Sequence, residues 1–274
     1  MLRCGRFSLA LDRPLIMGVV NITPDSFSDG ARFFDAGAAI AQAHRLAEEG
    51  ADVIDLGGES TRPGAAPVSE PEELQRVIPV LEAITAFNKP ISVDTRRPGV
   101  MKEALARGAS MINDVEALTA PGTLEAVVAS DCALCLMHKK GDPATMQRDP
   151  HYDDVVREVR DFLQQRVEAC ERAGVARERI VVDPGFGFGK TARHNLQLLR
   201  ALGQFEDLGV PLLVGLSRKS TVGKITGRPV EERLAGSLAM ALLALQGGAR
   251  ILRVHDVRET LDVVRVWQAY SSQS

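Results

Sequence analysis

Eight short apolar runs, each followed by polar residues, constrain the fold of this 274-residue chain more than any other feature. They are LIMGVV (15–20), DVIDL (52–56), PISVD (90–94), SMIND (110–114), ALCLM (133–137), IVVD (180–183), PLLVGL (211–216) and RILRV (250–254). Most lack strict apolar–polar alternation, as strands of a parallel sheet covered on both faces do. Helical patterns fill the gaps. Residues 36–49 place Ala39, Ile40, Ala43, Leu46 and Ala47 on one face, and residues 153–172 do so with Val155, Val159, Phe162, Leu163 and Cys170. Residues 230–246 are apolar over most of their surface after the first turn, so this helix is either deeply buried or makes a subunit contact. From residue 15 to residue 250 the runs recur about every 34 residues, the size of a βα unit. The pattern predicts an α/β fold: a TIM (β/α)8 barrel in one domain spanning residues 1–274. Residues 1–14 are left for a short N-terminal hairpin that closes the barrel's bottom.

In such a barrel the C-terminal strand ends share one face, and active sites sit there. Here those ends carry Asn21, GGESTRPG, Asp94 with Thr95 and Arg96, Asn113 with Asp114, Met137 with His138, Asp183, SRKS, and Arg253 with His255. Any one of these could merely cap a strand. Two amides, several carboxylates and a cationic cluster on one face amount to a binding site.

Charge narrows the function classes. A net charge of -3 and a pI near 6.0 argue against a general nucleic-acid binder. The N-terminus lacks the apolar stretch and cleavage site of a signal peptide, and no run approaches the ~20 residues of a membrane span. A soluble, cytoplasmic protein is expected. NIT at Asn21 then matches a glycosylation acceptor only by chance. Four cysteines do not make a disulfide framework. Cys132 and Cys135 form a C-x-x-C pair, but their odd separation on a strand points the thiols to opposite faces.

The stretch IVVDPGFGFGKT (180–191) looks like a nucleotide-binding loop. That loop needs four residues between its flanking glycines, whereas Gly185 and Gly189 are separated by three. The phosphate cradle depends on this length. A nucleotide loop is therefore set aside, and the glycines predict a close backbone approach to a flat ligand beside Asp183 and Phe188.

MGVVNITPDSFSDG (17–30), DLGGESTRPG (55–64), SVDT (92–95), INDV (112–115), LMH (136–138), DPGFGFGK (183–190), GLSRKS (215–220) and RVHD (253–256) together resemble the dihydropteroate synthase family, in order and almost end to end. The resemblance implies a TIM-barrel transferase of folate biosynthesis. It would join dihydropterin pyrophosphate to p-aminobenzoate in an SN1-like displacement, use Mg²⁺, be inhibited by competing sulfonamides and form a homodimer, through the region of helix 230–246.

Three tasks follow. To grip the pterin, Asp183 accepts two parallel N–H bonds from its aminopyrimidine edge. Asp94 and Asn113 complete the in-plane set, Lys219 donates to the ring carbonyl or N5, and Val115, Met137 and Phe188 cover the flat faces. Either Asn113 or Asp114 only ties down its loop. To hold the departing pyrophosphate, Arg253 and His255, two apart on the last strand, point to one face, Thr61 of the loop after the second strand joins them, and Asn21 binds Mg²⁺ or a phosphate oxygen. To admit p-aminobenzoate and exclude water, the loops after the first two strands act as lids. By resemblance Phe27 and Pro63 sandwich the aminobenzoate, Asp29 stabilises the cation, and Arg62 closes over the site. Ser220, at a helix start, binds the benzoate carboxylate.

The chain departs from its relatives at Lys139 and Lys140, where many carry MQG in this loop, and at Glu116, where small residues are common. Two rival readings share the pterin pocket. A methyltetrahydrofolate-type methyltransferase has no pyrophosphate to hold, which ESTRPG, SRKS and RVHD argue against. A non-catalytic pterin-binding module would have lost its lids, which Asn21, Phe27, Asp29 and Arg62 argue against.

Overall fold

The computed structural model describes residues 1–23, 36–60, 67–142 and 145–272. A hairpin of β1 (Leu2–Cys4) and β2 (Phe7–Leu9) precedes the barrel strands. These are β3 (Leu15–Asn21), β4 (Val53–Gly57), β5 (Ile91–Asp94), β6 (Met111–Asp114), β7 (Ala133–Met137), β8 (Ile180–Asp183), β9 (Leu213–Val214) and β10 (Ile251–Val254). The helices are α1 (Ala36–Glu48), α2 (Glu70–Ile84), α3 (Pro98–Ala106), α4 (Thr123–Val128), α5 (Val155–Arg172), α6 (Ala192–Arg200), α7 (Ser220–Thr226), α8 (Leu234–Gln246) and α9 (Val257–Ser271). Strands β3 to β8 pair in chain order, all parallel, and β10 pairs with both β3 and β9. The ring closes by a parallel bridge between Val182 and Leu212, where Val182 N donates to Pro211 O at 3.0 Å. The fold is thus the expected TIM barrel with its N-terminal hairpin.

Each strand serves two cores because its side chains alternate. Ile16, Ile54, Leu56, Val93, Ile112, Leu134, Val182 and Leu252 face outward and pack under the helices. Leu15, Met17, Val53, Met111, Ala133, Cys135, Val181, Leu213 and Ile251 fill the barrel's lower interior. Leu2 and Cys4 of the hairpin are fully buried in that interior cluster, so the hairpin plugs the N-terminal end of the barrel. Gly5 N anchors it to Asp131 O at 2.9 Å. Cys132 lies in the outer core and Cys135 in the inner one, and neither is in a disulfide.

The helix expected over 230–246 is shorter. Val230–Glu232 forms a single 3₁₀ turn after Pro229, and α8 starts at Leu234. Its inner face buries Ser237, Met240, Ala241, Ala244 and Leu245, but Leu242 and Leu243 remain 36% and 48% exposed. Deep burial on all sides is therefore not the reason for its apolar surface.

Candidate active site

Above the apolar floor the inward-facing positions become polar. Strand register sets Asn21, Gly57, Asp94 and Asn113 in one row across β3 to β6, and Met137 beside Asp183 on β7 and β8. The missing side chain at Gly57 leaves room there: a Cβ would lie 3.9 Å from both Asn21 Oδ1 and the Cβ of Asp94. Asn113, Val115, Met137 and Asp183 are buried, while Asn21, Asp94, Phe188, Lys219 and Arg253 are half-buried.

Charges of both signs meet in this layer. Arg253 donates through Nε to Asp55 Oδ2 at 2.7 Å and through Nη2 to Asp94 Oδ2 at 2.8 Å. Burial pushes the Asp94 carboxyl up to about 7, against the pull of Arg253. Burial also raises Asp183, opposed by Lys219, and lowers Lys219 to about 8. Lys219 Nζ donates to Phe186 O and stands 4.7 Å from the ring centre of Phe188. His255 takes different neighbours from Arg253: its N and Nδ1 lie 3.3 and 3.0 Å from Ser217 Oγ. Ser220 is exposed at the first turn of α7. Phe27, Asp29, Thr61, Arg62 and Pro63 lie outside the described residues.

Asn113 and Asp114 are resolved into separate roles. Asp114 accepts from Glu116 N and Leu118 N, both at 2.8 Å, and so holds the left-handed turn at Ala117 and Leu118. Asn113, adjacent in sequence, therefore faces the barrel interior.

In the DPGFGFGK loop, Gly185 and Gly189 make their close approach to the chain's own backbone. Gly185, Gly187 and Gly189 all have positive φ. A Cβ on Gly185 would overlap His138 O, and one on Gly189 would overlap Lys140 O. The close approach is to the chain's own β7 loop. Lys190, the apparent phosphate-binding lysine, is buried beneath the loop. Its Nζ donates to Gly185 O at 2.9 Å and Phe188 O at 3.1 Å, and lies 2.9 Å from His138 Nδ1. Burial and the neighbouring Lys190 push His138 down to about 2, so the ring is neutral. Thr191 caps α6 by accepting from His194 N.

Two departures from the relatives' pattern prove to be partners. Lys139 Nζ lies 2.6 Å from Glu116 Oε1, and Arg96 approaches the same carboxylate at 3.5 Å. Arg96 and Arg97 also bind Glu59, at 3.1 and 3.0 Å, and Arg97 reaches Glu73. Burial alone would raise Glu59; the two arginines override it and hold it near 2. This rim ties together the loops after β4, β5, β6 and β7. A double-mutant cycle on Glu116→Ala and Lys139→Ala is expected to give a coupling of about 1 kcal/mol that shrinks in 1 M salt. Strictly additive melting shifts would mean that the pair does not couple the loops.

Sequence reasoning missed Asp55, which is fully buried and pairs with Arg253. The available signal was a carboxylate in the middle of an apolar run, two residues from Gly57. The rim was missed because its partners lie far apart along the chain.

The fold is a parallel α/β barrel with side chains of both charges gathered at the C-terminal ends of its strands, and the chain belongs to the pterin-binding enzyme family, whose model matches residues 17–255. Within that family its activity is that of a dihydropteroate synthase, a transferase of the folate pathway. It is 51% identical over 262 residues to dihydropteroate synthase of Haemophilus influenzae, which covers 95% of each chain. The Yersinia pestis dihydropteroate synthase solved with a sulfonamide drug complex superposes with a TM-score of 0.94 at 45% identity, over 100% of both chains. The Burkholderia cenocepacia enzyme complexed with 7,8-dihydropteroate superposes with a TM-score of 0.90 at 48% identity, over 99% of this chain and 96% of the other.

Proposed function

We propose that the chain condenses 6-hydroxymethyl-7,8-dihydropterin pyrophosphate with p-aminobenzoate, giving 7,8-dihydropteroate and pyrophosphate. The observation that carries this reading is the convergence of Asp94, Asn113, Asp183 and Lys219 on one mouth that also contains Arg253. Relatives that hold 7,8-dihydropteroate and a sulfonamide support the substrates and the competitor.

In this reading Asp183 accepts two N–H bonds from the aminopyrimidine edge, and Asp94 and Asn113 extend the in-plane contacts. Lys219 donates to the ring carbonyl or N5. Val115, Met137 and Phe188 line the faces of the ring. The C–O bond at the pterin CH₂ breaks, and its electron pair leaves with pyrophosphate. Arg253, His255 and Thr61 stabilise the growing negative charge, which lowers the barrier more than ground-state binding would. The carboxylates, Asp29 among them, stabilise the cation left behind. The aniline nitrogen of p-aminobenzoate then attacks the CH₂ and releases its proton to solvent or a phosphate oxygen. Phe27, Pro63, Arg62 and Ser220 hold the aminobenzoate.

Asn21 is the residue proposed to hold Mg²⁺. Its single amide oxygen at the mouth, with no cluster of three His, Cys, Asp or Glu among the described residues, fits an ion that keeps several waters and shares the substrate's phosphate oxygens. When bound, the ion supplies charge neutralisation to the leaving group. The exposed Leu242 and Leu243 of α8, with Val266 and Tyr270 on adjacent α9, support a homodimer. No described helix is long and apolar enough to cross a membrane, and a cytoplasmic location fits the folate pathway.

The test is product formation by mass spectrometry, with each substrate and Mg²⁺ omitted in turn. Dihydropteroate appearing only in the complete mixture supports the reading. Pterin binding without product would favour the non-catalytic module. A pH series adds a second check. Ionised Asp94 is the stronger acceptor for an N–H, and burial pushes its carboxyl up to about 7. Pterin affinity is therefore expected to plateau above pH 7 and to fall by up to about tenfold per pH unit well below it, with about half a proton released on binding near pH 7 and one well below it. Asp94→Asn should flatten this profile. A slope unchanged in that variant would assign the titration to another group.

A further inference from the structure

We propose that Asp55 is a positioning residue for the pyrophosphate half of the reaction. It holds one edge of Arg253 so that the remaining guanidinium nitrogen is available to the anion. The inference rests on the reading that Arg253 holds pyrophosphate.

The geometry is specific. Asp55 sits inside β4, fully buried, at a position whose register partner is Ser92 on β5. Its Oδ2 accepts from Arg253 Nε at 2.7 Å and lies 2.6 Å from Nη2. Nη2 also reaches Asp94 Oδ2 at 2.8 Å. Two carboxylates thus fix the Nε–Nη2 edge. Nη1 bonds to no described residue, and the side chain keeps 21% of its surface exposed. Asp55 Oδ1 has no hydrogen-bond partner among the described residues, nor has Ser92 Oγ, so both bonds to Arg253 fall on a single oxygen.

A planar guanidinium needs this restraint. It has a rigid fork of donors on a flexible stem, and only a fixed orientation presents the fork to a phosphate. Asp94 alone cannot supply it, because the proposed function asks Asp94 to turn toward the pterin ring. When the pterin takes up Asp94, Asp55 is the partner that keeps Arg253 in place.

Coulomb's law by itself predicts the opposite effect. Asp55 is a negative charge beneath an anion site, so deleting it should tighten pyrophosphate binding. Positioning predicts that deleting it weakens binding. The sign separates the two.

The experiment uses the full chain with Mg²⁺. Inorganic pyrophosphate and 6-hydroxymethylpterin, which lacks the pyrophosphate, are titrated separately by calorimetry into wild type, Asp55→Ala, Asp55→Asn and Arg253→Ala. Asp55→Ala is expected to weaken pyrophosphate binding about tenfold, the effect of one misplaced charge-assisted hydrogen bond. 6-Hydroxymethylpterin affinity should stay within about threefold, and kcat should fall more than KM for p-aminobenzoate rises. Asp55→Asn keeps an oxygen acceptor for Nε and should restore pyrophosphate affinity to within about threefold of wild type. If Asp55→Ala does not fold, Asp55→Ser, too short to reach Nε, serves in its place. Unchanged or tighter pyrophosphate binding in the Ala or Ser variant overturns the proposal, as does an equal loss of pterin and pyrophosphate. Wild-type pyrophosphate affinity in Arg253→Ala would instead overturn the underlying role of Arg253. Loss there with none in the Asp55 variants would sink the positioning role alone.

Discussion

Asp183→Asn is expected to bind pterin about two to four orders of magnitude more weakly while the barrel stays folded. Two hydrogen bonds to an ionised carboxylate contribute about 1.5–3 kcal/mol each, and their loss gives that range. The substitution is chosen to separate binding from structure. Asp183 Oδ1 accepts from Gly185 N at 2.7 Å, and an asparagine oxygen can keep that bond. The other position then carries an amide N–H₂, which faces pterin donors with a donor. Stability should not suffer. Burial raises the Asp183 carboxyl, so its ionised form is disfavoured in the ligand-free protein above that raised value. A neutral amide removes this penalty at the cost of the charge that faces Lys219, so the melting temperature should change little. Calorimetric titration with 6-hydroxymethylpterin and a thermal melt provide both readings. Affinity within tenfold of wild type would remove Asp183 from the pterin site.

Gly185→Ala has a large effect of a different kind. At φ +68 an alanine is strained by roughly 1–2 kcal/mol. Its methyl group would also overlap the backbone carbonyl of His138, which cannot swing aside as a flexible side chain does. His138 N donates to Asp183 O at 2.9 Å, and Lys190 ties His138 to Gly185, so the two loops must separate together. A loss of at least about 3 kcal/mol follows, or roughly 6–12 °C in melting temperature for a chain of this size. Gly174→Ala is the control: its φ is +96, but nothing lies within 4 Å of the added methyl. It should show the backbone strain alone. Equal melting shifts in the two variants would mean that the loops do not clash.

How much of this could be read from the chain depended on how local the physics is. Eight apolar runs spaced about 34 residues apart on average point to a barrel, because each run must be buried on both faces and each gap is long enough for one helix. The polar ends of those runs placed Asp94, Asn113, Asp183 and Arg253 on one face before any coordinates. The odd spacing of Cys132 and Cys135 foretold two thiols on opposite sides of the sheet, and they lie in different cores.

Other features depend on which strand ends up beside which. Asp55 reads as an interruption of an apolar run until the closed sheet brings it to Arg253, 198 residues away. Glu116 and Lys139 look like separate departures until adjacent strands bring their loops together. The glycine loop carries a clear signal of tight approach, but what the sequence shows is only that these residues tolerate a positive φ. It does not say what is approached, and here the answer is the carbonyls of His138 and Lys140. The spacing of Gly185 and Gly189 already argued against a phosphate loop, but only the tertiary structure turns Lys190 under the loop, where Gly185 O and Phe188 O accept from its buried Nζ. Alternation and spacing act along the chain and can be read there, whereas ion pairs and backbone contacts between loops exist only once the barrel has closed.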